Sequence, residues 1–329
     1  MEILKVKAKG FYFQNHPETA ILNEKKVSKK KGSLLLNGIK CNWIQIKYDY
    51  PWNFKTEEAQ PERKLRTGIK VSVTMTCGFD ALVHIIQFSA LDSPYRGFME
   101  QSDNPLLLFT SNFCKSGLTK EILFERLKTL NQFYFIGKDA SNTSIHPYIL
   151  DAEDFIARVW SNYFSDEPSG FRTYNCSVSD CSGKKIDELL LLAVNEKLIR
   201  RQGYGCLRKA LLYHSQISNI KCREPECNGT VTENTELNIH ICIELDVRVA
   251  IDSKTAIKGF LSDFPVSLEL DRKYRLAGIV DYQLGHFIAY CIRSGGTWLQ
   301  CNDMQKKITS VNNPKETSGF PHIAIYVLE

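Results

Sequence analysis

A cysteine at position 77 begins the chemically most informative pattern in the chain. Apolar residues recur at helical spacing directly behind it: Phe79, Leu82, Val83, Ile86 and Ala90. This spacing predicts an amphipathic helix that begins at or near Cys77. At a helix N-terminus, the unpaired N–H groups and the positive end of the dipole favour a thiolate over a thiol. Cys77 is therefore a candidate nucleophile, although a buried structural cysteine is the commoner use of this residue.

Groups that could assist a thiolate lie more than 200 residues further along the chain. His286 follows a glycine in a strand-rich segment, so a tight turn could present its imidazole at the start of a strand. Asn302 and Asp303 come shortly afterwards and could orient that ring. Neighbouring side chains in an extended chain point to opposite faces, so we expect only one of the two to orient His286, while the other supports it from further away or faces solvent. The residues predict a Cys-His-Asn or Cys-His-Asp triad for nucleophilic catalysis, and which residue orients the ring stays open.

Four segments around these residues resemble the ubiquitin-specific protease family. They stand in that family's order, with its long separation between the cysteine and histidine segments, and they comprise residues 76–82, 274–290, 298–303 and 323–328. The resemblance extends over residues 68–329. It implies an α+β, papain-like cysteine protease fold with a helical thumb, zinc-bearing fingers and an antiparallel β palm.

The resemblance also implies an arrangement of domains and an activity. The implied parts are an N-terminal extension of unknown role, thumb, fingers and palm, at residues 1–67, 68–165, 166–250 and 251–329. The implied activity is a thiol-dependent isopeptidase that removes ubiquitin or a ubiquitin-like modifier from lysine side chains. Cys77 would attack the carbonyl of the modifier's C-terminal glycine, while His286 would take up and return the proton. The implied partners are the modifier and its conjugates.

Several positions depart from the family pattern. Ser72 stands where many members have an asparagine that donates to the oxyanion, so Ser72 is a shorter candidate donor. Asp80 replaces an asparagine and His84 a glutamine; His84 lies about 10.5 Å along the helix from Cys77, too far to act as the base. Asp80 and the short segment before His286 are similar to the branch that acts on SUMO. A SUMO isopeptidase, or a catalytically weak modifier-binding pseudoprotease, is therefore the alternative.

A second set of cysteines predicts a metal site. Cys176 and Cys181 form one pair with four residues between them, and Cys222 and Cys227 form another after 40 intervening residues, 182–221. Four thiolates in two pairs are the ligands of a tetrahedral structural zinc site. The family resemblance implies zinc-bearing fingers in the same region, although the family's usual spacing within a pair is two residues. We expect one structural zinc ion and no organic cofactor.

Composition limits the possible classes of protein. With 329 residues, 43% of them hydrophobic, the chain can bury a substantial core as one large or two modest domains. A net charge of +5 is too small to indicate a nucleic-acid partner. Without a signal-like or membrane-spanning apolar run, the chain is expected in the cytoplasm or nucleus, where its 11 cysteines would stay reduced. The basic residues 25–31 predict a solvated loop or a nuclear-import signal.

The remaining patterns predict helices first and strands later. Thr119 is expected to cap one helix and Asp151 to open another, so that residues 70–165 are mainly helical. Alternating apolar residues over 237–251 predict a half-buried strand that must bend or split because of its length. Further strands are expected at residues 264–270, 276–282, 287–293 and 322–328.

Overall fold

The computed structural model describes residues 42–45, 70–92, 94–138, 148–246, 257–305 and 307–329, the first of these as backbone only. The predicted N-terminal extension, apart from residues 42–45, and the basic residues 25–31 lie outside the described residues. The helices are α1 Cys77–Leu91, α2 Tyr95–Gln101, α3 Pro105–Ser116, α4 Lys120–Leu130, α5 Ile156–Tyr163, α6 Glu196–Gln202 and α7 Leu207–Ala210. Two 3-10 helices lie at Tyr204–Cys206 and Leu261–Asp263.

Seventeen strands occur in the described residues. They are β1 Asn42–Gln45, β2 Lys70–Thr74, β3 Ile136–Lys138, β4 Tyr148–Asp151, β5 Gly170–Cys176, β6 Lys185–Leu189, β7 Gln216–Lys221, β8 Thr230–Leu237, β9 His240–Glu244, β10 Gly259–Phe260, β11 Ser267–Glu269, β12 Lys273–Gln283, β13 His286–Ile292, β14 Trp298–Cys301, β15 Thr309–Ser310, β16 Ser318–Gly319 and β17 Pro321–Leu328. The strands predicted at residues 276–282, 287–293 and 322–328 are confirmed, and within the predicted strand 264–270 the strand is limited to Ser267–Glu269. Of the predicted long strand over 237–251, Leu237 ends β8 and residues 240–244 form β9, while residues 247–251 lie outside the described residues.

A seven-stranded antiparallel sheet forms the centre of the molecule. Its order is β15-β14-β13-β12-β17-β9, with β11 paired to β12. One face contributes Ala277, Val280 and Phe287 to a core shared with α1. The other face contributes Leu276 and Ile279 to a second core with α6 and α7. Because both faces are covered, β12, β13 and β17 are buried along nearly their whole length.

Helix α1 begins at Cys77, as the sequence predicts, and it is buried from Gly78 to Ala90. The helix packs against β12 and β13, and the contact is closest at Gly278 of β12. A Cβ atom on Gly278 would be 2.6 Å from the carbonyl oxygen of Tyr290 in β13 and 2.9 Å from Ile85 in α1. Such distances are shorter than real Cβ contacts, so Gly278 permits the close approach of helix and sheet. This packing fixes the start of α1 relative to the start of β13.

Two arginines, one in the central sheet and one directly after β13, hold the other end of α1. Arg275 of β12 donates from Nη2 to the carbonyl oxygen of Ser89 at 3.0 Å. Arg293 makes a two-nitrogen contact with Asp92, the residue that follows the helix, with Nη2 to Oδ1 at 2.7 Å. Cations near the last carbonyl groups of a helix complement its dipole. The contacts therefore hold the C-terminal end of α1 against the central sheet.

A small mixed sheet and four helices cover the remaining side of α1. The sheet order is β1-β2-β4-β3, with β2 and β4 parallel. Thr119 caps α4 through its side-chain oxygen, as predicted. The predicted helix start at Asp151 is wrong: Asp151 ends β4, and α5 begins at Ile156. Pairing of β4 with β2 extends the chain there, and the side chain of Asp151 accepts a turn hydrogen bond from the Glu153 N–H instead.

A separate four-stranded antiparallel sheet, in the order β6-β5-β8-β7, extends from the rest of the molecule. Its core is small, with Cys176, Cys222 and Val231 as its buried members. The structure therefore confirms a mixed fold of helices and several antiparallel sheets. Within the residues described, none of the helices is both long and apolar enough for a membrane span.

Candidate functional site

Cys77 occupies the first turn of α1, directly after a tight connection from β2. Met75, in that connection, has a φ of 53°, which is rare for a residue with a side chain. Thr76 precedes the helix, but its side chain does not cap the helix by accepting a first-turn hydrogen bond. Cys77 itself is partly exposed. The connection therefore delivers a thiol to the surface at the end of an otherwise buried helix.

His286 is presented by the hairpin between β12 and β13. Leu284 and Gly285, the two turn residues, have φ values of 50° and 80°, the backbone that a two-residue type I′ turn requires. His286 is the first residue of β13 and pairs with Gln283. The ring is 16% exposed. The glycine before His286 thus allows the predicted tight turn, and the imidazole stands at a strand start.

Asn302 and Asp303 both lie beside the same ring nitrogen. In the protonated ring, Nε2–H of His286 donates to Oδ1 of Asn302 at 3.0 Å. Oδ1 of Asp303 is 2.9 Å from that nitrogen, at ion-pairing distance but out of line with the N–H. The expected placement of the two side chains on opposite faces is wrong, although Asn302 is the one aligned with the N–H. Both residues lie beyond the end of β14 at Cys301, in a turn where alternation no longer applies.

The turn itself holds Asn302 in place. Its Oδ1 also accepts from the backbone N–H of Met304 at 2.9 Å, and its carbonyl oxygen accepts from the N–H of Gln305. A short side chain that bonds its own backbone two residues ahead is an Asx turn. The turn therefore fixes the orientation of the amide oxygen independently of its contact with the imidazole.

The electrostatic surroundings favour a protonated His286. The contact with Asp303 and then the interaction with the Cys77 side chain raise the pKa of His286 to about 10, against a lowering effect of burial. Since Nε2 faces Asn302 and Asp303, Nδ1 is the nitrogen available to the thiol. The structure brings all four residues together. An imidazolium between a carboxylate and a thiol can support a thiolate and can deliver a proton.

Two further candidate positions lie elsewhere. Ser72 is in the middle of β2, paired with Ile149 of β4, and no hydrogen bond joins its hydroxyl to Cys77 among the described residues. Its role as an oxyanion donor stays a prediction. His84 is buried on α1, where its Nδ1 contacts Gln87 Oε1 at 3.4 Å. Burial lowers the pKa of His84 to about 4, so the ring is neutral.

A buried charged group lies beneath the first turn of α1 and is not apparent from the sequence patterns. Arg126 of α4 donates from Nε to Asp80 Oδ1 at 3.1 Å and from Nη2 to Asp80 Oδ2 at 2.5 Å. The same Nη2 contacts Oγ1 of Thr76 at 2.5 Å, and this hydroxyl donates to Asp80 Oδ2 at 2.9 Å. Both charged side chains are almost completely buried. A single arginine within an amphipathic helix gives no sign of burial in the sequence.

The four cysteines predicted to bind metal lie together at one end of the separate sheet. Cys176 ends β5 and Cys181 lies in the following connection to β6, while Cys222 and Cys227 lie in the β7–β8 connection. Pairing of β5 with β8 brings the two turns side by side. All four sulfur atoms lie within 4.8 Å of one another. We refer to these residues as the four-cysteine cluster; they could bind a zinc ion.

Distances within the four-cysteine cluster fit such an ion. Sγ of Cys176 is 3.6 Å from Sγ of Cys227, and Sγ of Cys181 is 3.6 Å from Sγ of Cys222. Zinc–sulfur bonds of about 2.3 Å in a tetrahedron place sulfur atoms about 3.8 Å apart. Together with the chemistry of four thiol donors, this spacing matches a tetrahedral site.

Backbone groups support the sulfur atoms in a repeated way. Gly183 donates its N–H to Sγ of Cys181 at 3.3 Å, and Gly229 donates to Sγ of Cys227 at 3.4 Å. Each glycine stands two residues after the second cysteine of its pair, so the motif Cys-x4-Cys-x-Gly occurs twice. This repeat, together with the equal pair spacing, is a sequence signal for the site. In both turns, the glycine N–H donates to the cysteine sulfur in the same local geometry.

Comparisons with known proteins give distant similarities. No protein-family model matches the chain. A protein of 120.7 kDa in the NOF-FB transposable element of Drosophila melanogaster is 24% identical over 336 aligned residues, which cover 93% of this chain and 30% of that protein. The chain thus spans less than a third of the length of that relative.

Among solved structures, the chain is similar to DUB modules of the SAGA complex. A yeast SAGA DUB module structure has 16% identity and a TM-score of 0.45, covering 84% of this chain and 68% of that one. The Ubp8/Sgf11/Sus1/Sgf73 DUB module has 16% identity and a TM-score of 0.44, covering 95% and 75%. Its form bound to monoubiquitin has 16% identity and a TM-score of 0.40, covering 84% and 69%. Similarities of this extent do not define an activity.

Proposed function

We propose that this chain is a cysteine isopeptidase of the ubiquitin-specific protease type, acting on ubiquitin or a ubiquitin-like modifier. One observation carries the proposal: a thiol at the start of α1 faces an imidazole at the start of β13, whose other nitrogen is held by Asn302 and Asp303. Such a thiol, base and orienting group are the parts of a cysteine hydrolase. The ordered resemblance of the segments around these residues supports the same assignment.

In the proposed reaction, the Cys77 thiolate attacks the carbonyl carbon of the modifier's C-terminal glycine. The new carbon–sulfur bond produces a tetrahedral oxyanion, which N–H groups at the start of α1 stabilise. As the carbon–nitrogen bond to the lysine breaks, His286 gives its proton to the departing amine. A water then attacks the thioester and transfers a proton to His286. The modifier leaves as a carboxylate and the thiolate is restored.

The two orienting residues would divide the support of His286. Asn302 is fixed by its own turn and accepts the Nε2–H hydrogen bond, so it sets the plane of the ring. Asp303 supplies a negative charge beside the same nitrogen and stabilises the imidazolium. A neutral amide cannot make the second contribution, since it lacks a charge. Both residues are therefore assigned to the site.

Ubiquitin and SUMO are the alternative modifiers. The resemblance of Asp80 and of the short segment before His286 to the SUMO branch favours SUMO as the second candidate. Reaction with ubiquitin and SUMO probes that carry a C-terminal electrophile distinguishes them, because each probe forms a stable thioether with an active thiol. We expect wild-type protein to be labelled by ubiquitin and Cys77→Ala not to be.

The outcomes of this experiment separate the hypotheses. Labelling by the SUMO probe alone assigns the second modifier. Equal labelling of wild type and Cys77→Ala contradicts the proposed nucleophile. Tight binding of a modifier without labelling or turnover indicates a modifier-binding pseudoprotease, to which the replacement of the usual oxyanion asparagine by Ser72 points. Cys114→Ser provides a matched control, since burial raises the pKa of Cys114 to about 11 and keeps that thiol unreactive at neutral pH.

We also propose that the four-cysteine cluster holds a structural zinc ion. The ion would link the β5–β6 and β7–β8 turns and would neutralise thiolate charge there. In this assignment, residues 68–165 are the thumb, 166–250 the fingers with the zinc site, and 251–329 the palm. The partners are the modifier and its conjugates, and the proposed location is the cytoplasm or nucleus. Metal analysis tests the zinc assignment: Cys176→Ser should lose one equivalent.

A further inference from the structure

We propose that Arg126, through Asp80 and Thr76, acts as a positioning group that keeps the first-turn N–H groups of α1 available to the Cys77 sulfur and to the oxyanion. The inference rests on the proposed function for its catalytic meaning, but its structural basis is independent of any substrate. It assigns a role to a buried charge cluster that the reaction itself does not use.

The first step concerns the groups that normally cap a helix. Thr76 stands at the N-cap position, where a threonine oxygen usually accepts from an N–H of the first turn. Asp80 lies in the first turn, where a carboxylate usually interacts with the same N–H groups and with the positive dipole end. Either residue could therefore compete with a thiolate or an oxyanion for these donors.

The second step is that Arg126 holds both competitors. Its Nη2 contacts Thr76 Oγ1 and Asp80 Oδ2, and its Nε contacts Asp80 Oδ1. The hydroxyl hydrogen of Thr76 is directed to Asp80 at the same time. No hydrogen bond from the N–H of Cys77, Gly78 or Phe79 occurs among the described residues. The natural capping side chains are thus turned away from the helix start.

The third step concerns charge. Asp80 is buried at the same helix end as Cys77, where an uncompensated carboxylate would repel a thiolate. The guanidinium, paired with two oxygens of that carboxylate, cancels its charge. Nη1 of Arg126 is buried with no hydrogen-bond partner. Burying a polar atom without a hydrogen bond lowers the free energy of unfolding. The contacts of Arg126 with Asp80 and Thr76 must offset this loss of stability.

The test compares thiol reactivity among folded variants. The rate of Cys77 alkylation by iodoacetamide at pH 7, measured by peptide mass spectrometry, requires no modifier. We expect Arg126→Met to lower this rate about tenfold or more, because the freed Thr76 hydroxyl and Asp80 carboxylate then take the N–H groups. With a ubiquitin-based substrate, kcat should fall while KM stays within about twofold.

Two variants keep the proposal falsifiable. The pair Asp80→Asn with Arg126→Gln removes both charges while leaving amide groups that can hydrogen-bond each other and the Thr76 hydroxyl, and we expect it to restore most of the alkylation rate. Arg96→Met is the matched control, since Arg96 forms an exposed i,i+4 pair with Glu100. Melting temperature and metal content verify the fold of each variant. If Arg126→Met does not fold, the charge-free pair carries the test by itself.

The outcomes are distinct from those of the proposed function. A folded Arg126→Met with the wild-type alkylation rate overturns the inference. A charge-free pair whose alkylation rate falls as far as expected for Arg126→Met also overturns it, because charge compensation would then not be the basis of the effect. Absence of turnover in the wild type, together with an alkylation rate that still depends on Arg126, would reject the isopeptidase and leave the positioning role intact.

Discussion

The two candidate sites built on cysteine, Cys77 and the four-cysteine cluster, differ in the groups that surround the sulfur. Cys77 lies alone beside an imidazolium, and its partners come from β13 and from the turn after β14, more than 200 residues away in sequence. The four-cysteine cluster gathers four thiols at the end of a small sheet, with few apolar side chains beneath them. The first site depends on a large buried core for its geometry, whereas the second would draw stability from a bound cation.

This difference teaches how negative charge on sulfur is balanced. A single thiolate needs one positive group at a fixed distance, and His286 can supply it. Four converging thiolates repel one another unless a metal ion lies between them. A substitution that disables one site should therefore leave the other site intact.

The largest expected effect comes from replacing the isolated sulfur. Cys77→Ser should lower turnover by at least about 1,000-fold, because a hydroxyl beside this imidazole is a far weaker nucleophile. Metal content and melting temperature should stay at wild-type values. Steady-state kinetics together with metal analysis checks the separation of the two sites, and a loss of metal in this variant would contradict it.

Replacing one sulfur of the cluster should have the reverse effect. We expect Cys176→Ser to lose the metal equivalent and to lower the melting temperature by about 5–10 °C, since the small core cannot hold the two turns together. Protease cleavage should increase within residues 170–237. Alkylation of Cys77 at temperatures below the transition should be unchanged. Thermal melting, proteolysis and metal analysis of Cys176→Ser and Cys114→Ser provide the comparison.

The charge on Asp303 should control the alkaline side of the activity profile. The pKa of His286, raised to about 10 from 6.5, leaves the ring protonated at neutral pH, and its proton is lost as pH rises through about 10. Activity should fall over that range. In Asp303→Asn, which removes the largest cause of the shift, the fall should occur at lower pH, and kcat should drop about 10- to 100-fold.

Asn302→Ala is the matched variant for the same profile. It removes the hydrogen bond that orients the ring but keeps the negative charge, so kcat should fall without a comparable movement of the alkaline limb. Rate measurements of both variants from pH 6 to pH 11 test the division between orientation and charge. Equal displacement of the two profiles would refute it.

The smallest effects are expected at two glycines, one in each region. A Cβ on Gly278 would press on Tyr290 and Ile85 between α1 and the central sheet, so Gly278→Ala should reduce kcat while metal is retained. A Cβ on Gly229 would lie 2.7 Å from Sγ of Cys176. Gly229→Ala should therefore speed metal loss to a chelator with little change in kcat. Both kcat and the rate of metal loss are measured for both variants, so that each variant is the control for the other.

The sequence predicted those elements whose patterns are local. Helical spacing behind Cys77 located α1, Thr119 located the cap of α4, and apolar segments located the strands of the central sheet. The proximity of the four cysteines followed from their equal spacing. In each of these cases the information lies within a short stretch of chain, or in a residue type whose chemistry restricts its use.

Other features depend on contacts that no short stretch encodes. The sequence predicts a helix at Asp151 because the capping chemistry of aspartate is visible in it, whereas the parallel pairing of β4 with β2 is not. Both Asn302 and Asp303 reach His286 because the chain turns after Cys301, and alternation within an extended strand could not indicate that. The ion pair between Arg126 of α4 and Asp80 of α1 joins two residues that are 46 positions apart in sequence.

The order of strands in the central sheet has a consequence for how the molecule is made. β17, late in the chain, lies between β12 and β9 rather than at an edge. Since chains are synthesised from the N-terminus, α1 and its thiol exist well before this strand can fill its place. Until residues 321–328 arrive, β12 and β9 each expose an unpaired edge. Completion of the central sheet, though not of the β12–β13 hairpin that carries His286, therefore depends on pairing between segments that are distant in sequence.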